Sequence, residues 1–159
     1  GTIAAMSALP KPPPSSAVET VDTRFLETLM GYNARRASLT IVEHFMRRMA
    51  PYDLRIVDFS VLSLIAHNPG ITSRQLCSTL GVLPPNLVPI ISAREKRQWV
   101  DRHPRTSERR ANGLHLSAQG NQLVQQAEAT AAELEDEATA RLTATERKTL
   151  MRLLQKIYR

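Results

Sequence analysis

The fold is decided by residues 68–82, which read NPGITSRQLCSTLGV. Thr72 stands three residues before Gln75, the spacing of a capping box, so a helix is predicted to begin just after Thr72. Gly81 is the kind of residue that adopts the left-handed conformation at a helix end. A short helix followed by a tight turn is therefore expected. Its inward face consists of Leu76, Cys77 and Leu80.

The next segment is crowded with proline and reads LPPNLVP over residues 83–89. A proline well inside a helix costs about 3 kcal/mol, and this cost disappears if Asn86 is the N-cap and Pro89 the third helical residue. A second helix is predicted to run from there to Gln98, with an inward face of Leu87, Ile90 and Ile91. The outward positions are then Asn86, Val88, Pro89 and Ser92.

A β-hairpin is predicted after this helix. One strand begins at Trp99-Val100, a polar tip covers residues 104–110, and Leu114 and Leu116 alternate on the return strand. Residues 94–110 carry seven basic and three acidic side chains, so +4 of the formal net charge of +6 falls in one short stretch. This layout of two helices and a basic hairpin is that of a winged helix-turn-helix, whose second helix enters the major groove of DNA.

The remaining chain is predicted to be helical around this centre. Residues 1–18 are proline-rich and are expected to form an extended tail, and residues 19–50 a long helix. A further helix has Asp58 in its first turn, so that residues 54–116 form the DNA-binding region. Within residues 117–159, Ser117 is predicted to cap a long helix, and Thr143 a final one. The expected class is mainly α with a small β-hairpin.

The sequence resembles the MarR family of transcription regulators from about residue 25 to its end. The resemblance rests on the NPGIT and QL…LGV segments of the turn, WVDR at residues 99–102, SERRA at 107–111 and LHLSAQG at 114–120. It implies a homodimer, held by the N- and C-terminal helices, that binds an inverted-repeat operator in double-stranded DNA.

The resemblance also implies roles for individual residues. Arg110 matches the wing arginine that reaches into the minor groove, and Glu108 matches the acid that orients it, as Glu where the family has Asp. Arg94 stands where the family usually has an apolar residue, so its side chain is expected either to snorkel or to reach a phosphate. The DNA-binding set is thus predicted as Asn86, Val88, Pro89, Ser92, Arg94, Arg105, Arg109 and Arg110. Asn86 has the N-cap role as an equal alternative.

An effector site is the least defined expectation. The segment YNARRAS at residues 32–38 resembles the subgroup that responds to aromatic acids or their coenzyme A thioesters. Arg35 or Arg36 would pair with a carboxylate or phosphate of the ligand, and the rings of Tyr32, His44 and Phe59 would stack on it. The alternative is that Tyr32 and Phe59 belong to the core and that the two arginines form salt bridges between subunits.

Other chemistry has little support in the sequence. Cys77 is expected to be a buried small hydrophobe rather than a redox sensor, and no metal site is predicted because the four histidines lack metal-ligand spacing. No cofactor or enzyme activity is predicted, because the sequence has no Gly-rich phosphate loop, nucleophile elbow or paired-carboxylate arrangement. A single cysteine and the lack of a long apolar stretch favour a cytoplasmic protein without membrane contact. Two alternatives to a specific regulator are a nonspecific architectural DNA-binding protein and a protein-interaction module.

Overall fold

The computed structural model describes residue 10, residues 18–104 and residues 112–159 of the chain. The chain divides into two compact units, residues 1–35 and residues 36–159. Most of the predicted tail and most of the hairpin tip lie outside the described residues. The helices are α1 (Met30–Met49), α2 (Ile56–His67), α3 (Ser73–Leu80), α4 (Pro84–Lys96), α5 (Ala118–Ala138) and α6 (Ala144–Tyr158); the strands are β1 (Val100–Pro104) and β2 (Asn112–Leu116).

This element order confirms the predicted class, a mainly helical chain with one antiparallel hairpin. The first long helix, however, begins at Met30 and not near residue 19. A 3-10 turn at Leu26–Thr28 precedes it, and Leu29 is extended. The amide of Asn33 donates to the carbonyl oxygens of Glu27 and Leu29, both at 2.8 Å. These bonds stabilise a bent entry to α1 in place of a continuous helix.

The core of the second unit lies around α2. Val61, Leu62 and Ile65 are fully buried on this helix, together with Met49 at the end of α1 and Leu134 on α5. Helix α2 contacts α3, α5 and β2, so it is the central element against which the others pack. The Phe45 and Phe59 rings meet edge to face at 5.6 Å between centroids and extend this core toward α1.

The turn between α3 and α4 has the predicted chemistry. The Gln75 backbone N–H donates to Thr72 Oγ1 at 3.2 Å, and the Thr72 backbone N–H donates to Gln75 Oε1 at 3.0 Å, which completes the capping box. Gly81 ends α3 with φ of 65°. Within the described ranges no single helix is long and apolar enough to cross a membrane; α3 and α4 together would pass by length and composition, but they bend by 119°.

The hairpin is attached to the helices at its base. Strands β1 and β2 pair antiparallel from Val100 opposite Leu116 to Pro104 opposite Asn112. Ser117 caps α5, accepting from the Gly120 backbone N–H at 3.0 Å, and its hydroxyl donates to the carbonyl of Gln98 at 2.6 Å. A side chain at Gly120 would place its Cβ 2.3 Å from the Trp99 carbonyl oxygen, so only glycine allows this approach.

Candidate nucleic-acid interface

Helix α4 begins earlier than its sequence suggested. Leu83 is the N-cap, Pro84 and Pro85 occupy the first two helical positions, and Asn86 lies inside the first turn with its N–H bonded to the Leu83 carbonyl at 2.9 Å. The prediction of Asn86 as N-cap is therefore wrong. The physical reason is that two prolines can fill the positions whose N–H groups have no intrahelical partner. Pro89 then lies in the interior of the helix, where it lacks the backbone hydrogen bond that an N–H at this position would donate to the Pro85 carbonyl.

The outward face of α4 agrees with the predicted pattern. Leu87, Ile90 and Ile91 are 2%, 9% and 1% exposed, whereas Val88 is 60% exposed. Asn86 and Pro89 are exposed as well, and Ser92 is half-buried. Helix α4 therefore presents to solvent a surface that we call the reading face, consisting of Leu83, Pro85, Asn86, Val88 and Pro89.

Arg94 does not belong to this surface. Its side chain is buried, and its guanidinium lies 2.8 Å from the carboxylate of Asp58 on α2. The prediction that Arg94 snorkels to the surface or contacts a phosphate is wrong, because a charge on the inward face of α4 needs an opposite charge close by and Asp58 provides it. A signal for this pair existed: Arg94 follows three apolar inward residues at helical spacing, and such a position calls for an acidic partner.

Asp58 is held by three donors at one oxygen. The backbone N–H of Arg55 (3.0 Å), the Arg55 side chain (3.2 Å) and Arg94 all donate to Oδ2. Burial by itself raises the pKa of the Asp58 carboxyl, but these hydrogen bonds outweigh it and hold the pKa below its usual range. Asp58 Oδ1 and Arg94 Nε have no hydrogen-bond partner among the described residues.

The base of the wing contributes further ion pairs. Arg102 on β1 donates to Glu95 on α4 at 2.8 Å, and Arg97 lies 3.1 Å from Asp53 and 4.5 Å from the centroid of the Trp99 ring. The pair of Arg102 and Glu95 joins the end of α4 to β1. The predicted wing residues Arg105, Glu108, Arg109 and Arg110 lie outside the described residues, and their roles stay predictions.

Two cavities flank α4. One of about 420 Å³ lies between α2 and α4, where Asp58 and Arg94 form part of its wall. The other, of about 260 Å³, lies between α3 and α4. Cys77 is half-buried in its wall and so is less enclosed than expected. The wall of this second cavity consists of Ser73, Arg74, Cys77, Pro84, Leu87, Val88, Ile91 and Arg102.

The predicted effector residues fall in both units. Tyr32 is half-buried and Arg35 exposed in the first unit; in the second, Arg36 is exposed and His44 Nδ1 lies 3.0 Å from the Thr40 carbonyl. Phe59 packs on Phe45 beside the core, as the core alternative expected. A ligand role for the five residues stays a prediction. Among the described residues, no group of three or more histidine, cysteine, aspartate or glutamate side chains is placed to hold a metal ion.

Comparison with known proteins identifies what this geometry resembles. The family model of the MarR family matches residues 54–111. The transcriptional repressor CouR, solved bound to a 23-mer DNA duplex, is 34% identical and superimposes with a TM-score of 0.82 over 88% of this chain and 99% of its own. A mutant of MarR from E. coli in complex with operator DNA is 26% identical, with a TM-score of 0.76 over 85% and 98% of the two chains.

A third relative has been solved with a small molecule. Rv2887 of Mycobacterium tuberculosis, an HTH-type transcriptional repressor, is 26% identical over 128 residues, which are 80% of this chain and 92% of that protein. Its complex with salicylic acid gives a TM-score of 0.68 and covers 81% of this chain and 96% of that one. All three relatives match over more than the helix-turn-helix, and the similarity includes the flanking helices.

Proposed function

Because this chain belongs to the MarR family of transcription regulators, we propose that it is a homodimeric repressor of an inverted-repeat operator, released by a small aromatic acid or its coenzyme A thioester. The observation that carries the proposal is the similarity to DNA-bound CouR along nearly the whole chain. The solvent-facing side of α4, placed by a capped α3 and a tight turn, is the surface that would enter the major groove.

The two ends of the chain support a dimer. Helix α6 has no buried residue, although it is amphipathic, and its large apolar side chains are 40% to 73% exposed. An apolar face of this size on a chain by itself marks a surface that another chain covers. Phe25 and Met30 of the first unit are each 75% exposed and have the same need of a partner. The exposed large apolar residues of α6 are Leu150, Met151, Leu153, Leu154, Ile157 and Tyr158.

The DNA part is tested by fluorescence anisotropy on an inverted repeat from the region upstream of the protein's own gene, against a shuffled duplex of the same composition at about 0.15 M salt. A regulator binds the repeat at least about 1000-fold more tightly. Equal affinity for both duplexes would contradict the proposal and favour the nonspecific architectural protein, while no binding to either would favour the interaction module.

The wing is tested on the same duplex. Arg110→Ala is expected to weaken binding by about 1 to 3 kcal/mol, chiefly where A·T steps flank the core site, because an arginine in the minor groove is favoured by its narrow width there. The matched control is Arg141→Ala, an exposed arginine beyond α5. Unchanged affinity of the Arg110 variant would remove it from the wing role.

The effector part rests on the salicylic acid complex of Rv2887 and on the arginine pair of α1. It is tested by thermal shift with a panel of aromatic acids and their coenzyme A thioesters, since a ligand that binds the folded state raises Tm. Arg36→Ala is expected to abolish the shift given by an active compound, and Arg47→Ala, exposed on the same helix, is expected to retain it. A full panel without a shift, or without loss of DNA binding, would contradict ligand release.

A further inference from the structure

The reading face of α4 carries no charge. Residues 83–93 contain no acidic or basic residue at all, and the exposed members of the reading face are four apolar side chains and one amide, that of Asn86. Leu83 and Val88 are 68% and 60% exposed, and with the neighbouring proline rings they form a contiguous apolar surface. This surface needs a partner that offers apolar groups.

The one arginine on α4 that is near this face is withdrawn from it. Arg94 is 7% exposed and ion-paired with Asp58 at 2.8 Å. Arg97, which follows the helix, is about 13 Å along the axis from Val88 and is paired with Asp53. A guanidinium on guanine O6 and N7 is therefore not available from the exposed part of α4, and its exposed lysine, Lys96, lies about 12 Å along the axis from Val88.

Given the proposed function, on which this step rests, we infer that α4 reads A·T base pairs by their thymine methyl groups. The C5-methyl of thymine is the one apolar group that a base pair displays in the major groove. Val88 and Pro89 are the residues whose exposed carbons would contact it, and the Asn86 amide would bond the N6 and N7 edge of adenine. A·T pairs would thus be selected by contact with both bases.

The interior proline fits this role. Pro89 lacks the N–H that a helix normally requires, at a cost of about 3 kcal/mol relative to alanine, yet its ring is exposed, in the wall of the cavity between α2 and α4. Its rigid ring extends the apolar surface of Val88 without a flexible side chain to order on binding. The cost to the helix is explained if the ring contacts a partner.

The experiment replaces thymine by uracil, which deletes only the methyl group. A duplex is first selected from a random-sequence library with the full-length protein. Each thymine of its half-sites is then changed to uracil in turn, and the dissociation constants are measured by anisotropy. Loss of one methyl contact is expected to weaken binding about fourfold, and the symmetric pair of losses about fifteenfold.

Variants of the reading face assign the contact. Val88→Ala removes exposed carbons, and Pro89→Ala removes the exposed ring and restores the backbone N–H, so both proteins are expected to fold. In each variant the difference between thymine and uracil duplexes should shrink to under twofold at the matching position. Val88→Thr keeps one methyl group in a similar shape and should retain part of the difference in affinity between thymine and uracil duplexes. The matched control is Ile56→Ala, since Ile56 is 41% exposed and lies on α2, outside α4; it should retain the whole difference in affinity between thymine and uracil duplexes.

The outcomes separate this inference from the function on which it rests. If selection yields a specific duplex and no uracil replacement weakens binding, the inference is overturned while the repressor stands. If a replacement weakens binding equally in wild type and in both alanine variants, the methyl contact belongs elsewhere and the inference is overturned again. If selection yields no sequence preference, both fail together.

Discussion

The buried pair of Asp58 and Arg94 gives the sharpest test of how α4 is held. Asp58→Asn keeps the volume and an acceptor for the Arg55 N–H, but it leaves the Arg94 guanidinium, 7% exposed, without a counter-charge. Removing one partner of such a pair is expected to lower the free energy of unfolding by about 3 to 5 kcal/mol. Arg94→Met removes one of three donors from the carboxylate and is expected to cost about 1 to 3 kcal/mol.

The double variant decides the origin of these losses. The variant that combines Asp58→Asn and Arg94→Met removes both charges and keeps a long side chain at residue 94 in the core. Its free energy of unfolding is therefore expected to lie within about 1 kcal/mol of wild type. The coupling energy between the two sites would then be about 3 kcal/mol or more. Two independent packing defects would instead give losses that add.

The assay is urea unfolding followed by circular dichroism at one fixed protein concentration, because the stability of a dimer depends on concentration. Asp53→Asn is the matched control, since the Asp53 side chain is 80% exposed in its pair with Arg97 and its loss should change stability by less than about 1 kcal/mol. Additive single losses, or a loss below about 1 kcal/mol for Asp58→Asn, would show that the buried ion pair does not hold α4 in place.

Three further predictions follow from the same structure. Because the pKa of Asp58 is lowered in the fold, its ionised form stabilises the protein above the ordinary aspartate pKa of about 4. This stabilisation is lost as the pH falls through the lower pKa of the folded state. Urea midpoints measured from pH 6 to 3 should therefore fall less steeply for Asp58→Asn than for wild type. Gly120→Ala should lower the free energy of unfolding by about 1 to 3 kcal/mol, because the added Cβ would meet the Trp99 carbonyl. Gly31→Ala is the control and should not lower it, since a Cβ at Gly31 would have no atom within 4 Å. Equal urea midpoints for the two variants would contradict the close approach at Gly120. Leu154→Glu should shift the protein toward monomer in light scattering at micromolar concentration, whereas Lys148→Glu on the same helix should not. An unchanged mass for Leu154→Glu would exclude this face of α6 from the dimer interface.

The parts of the fold that could be predicted from sequence are those with local chemical signals. The capping boxes at Thr72 and Thr143, the glycine end of α3 and the strand alternation around Leu114 and Leu116 each need only residues a few positions apart. Local hydrogen bonds fix such features, so their position follows from spacing alone. The inward face of α4 was predictable for the same reason.

The errors occurred where the deciding partner is distant or where two local rules compete. Arg94 is explained by Asp58, which is 36 positions earlier in the chain and was not paired with it from spacing. At α4, an N-cap preference of Asn86 competed with the suitability of proline for the first helical turn, and the two adjacent prolines prevailed. The bent entry before α1 depends on the Asn33 amide, which periodicity does not detect.

The pair of Asp58 and Arg94 also constrains how the molecule can move. A shift of α4 along α2 by one helical turn, about 5.4 Å, would break the 2.8 Å contact while both charges stayed buried. Such a slide would cost several kcal/mol. Helices α2 and α4 are therefore expected to move together in any motion of lower energy, so that a displacement of the reading face also displaces α2.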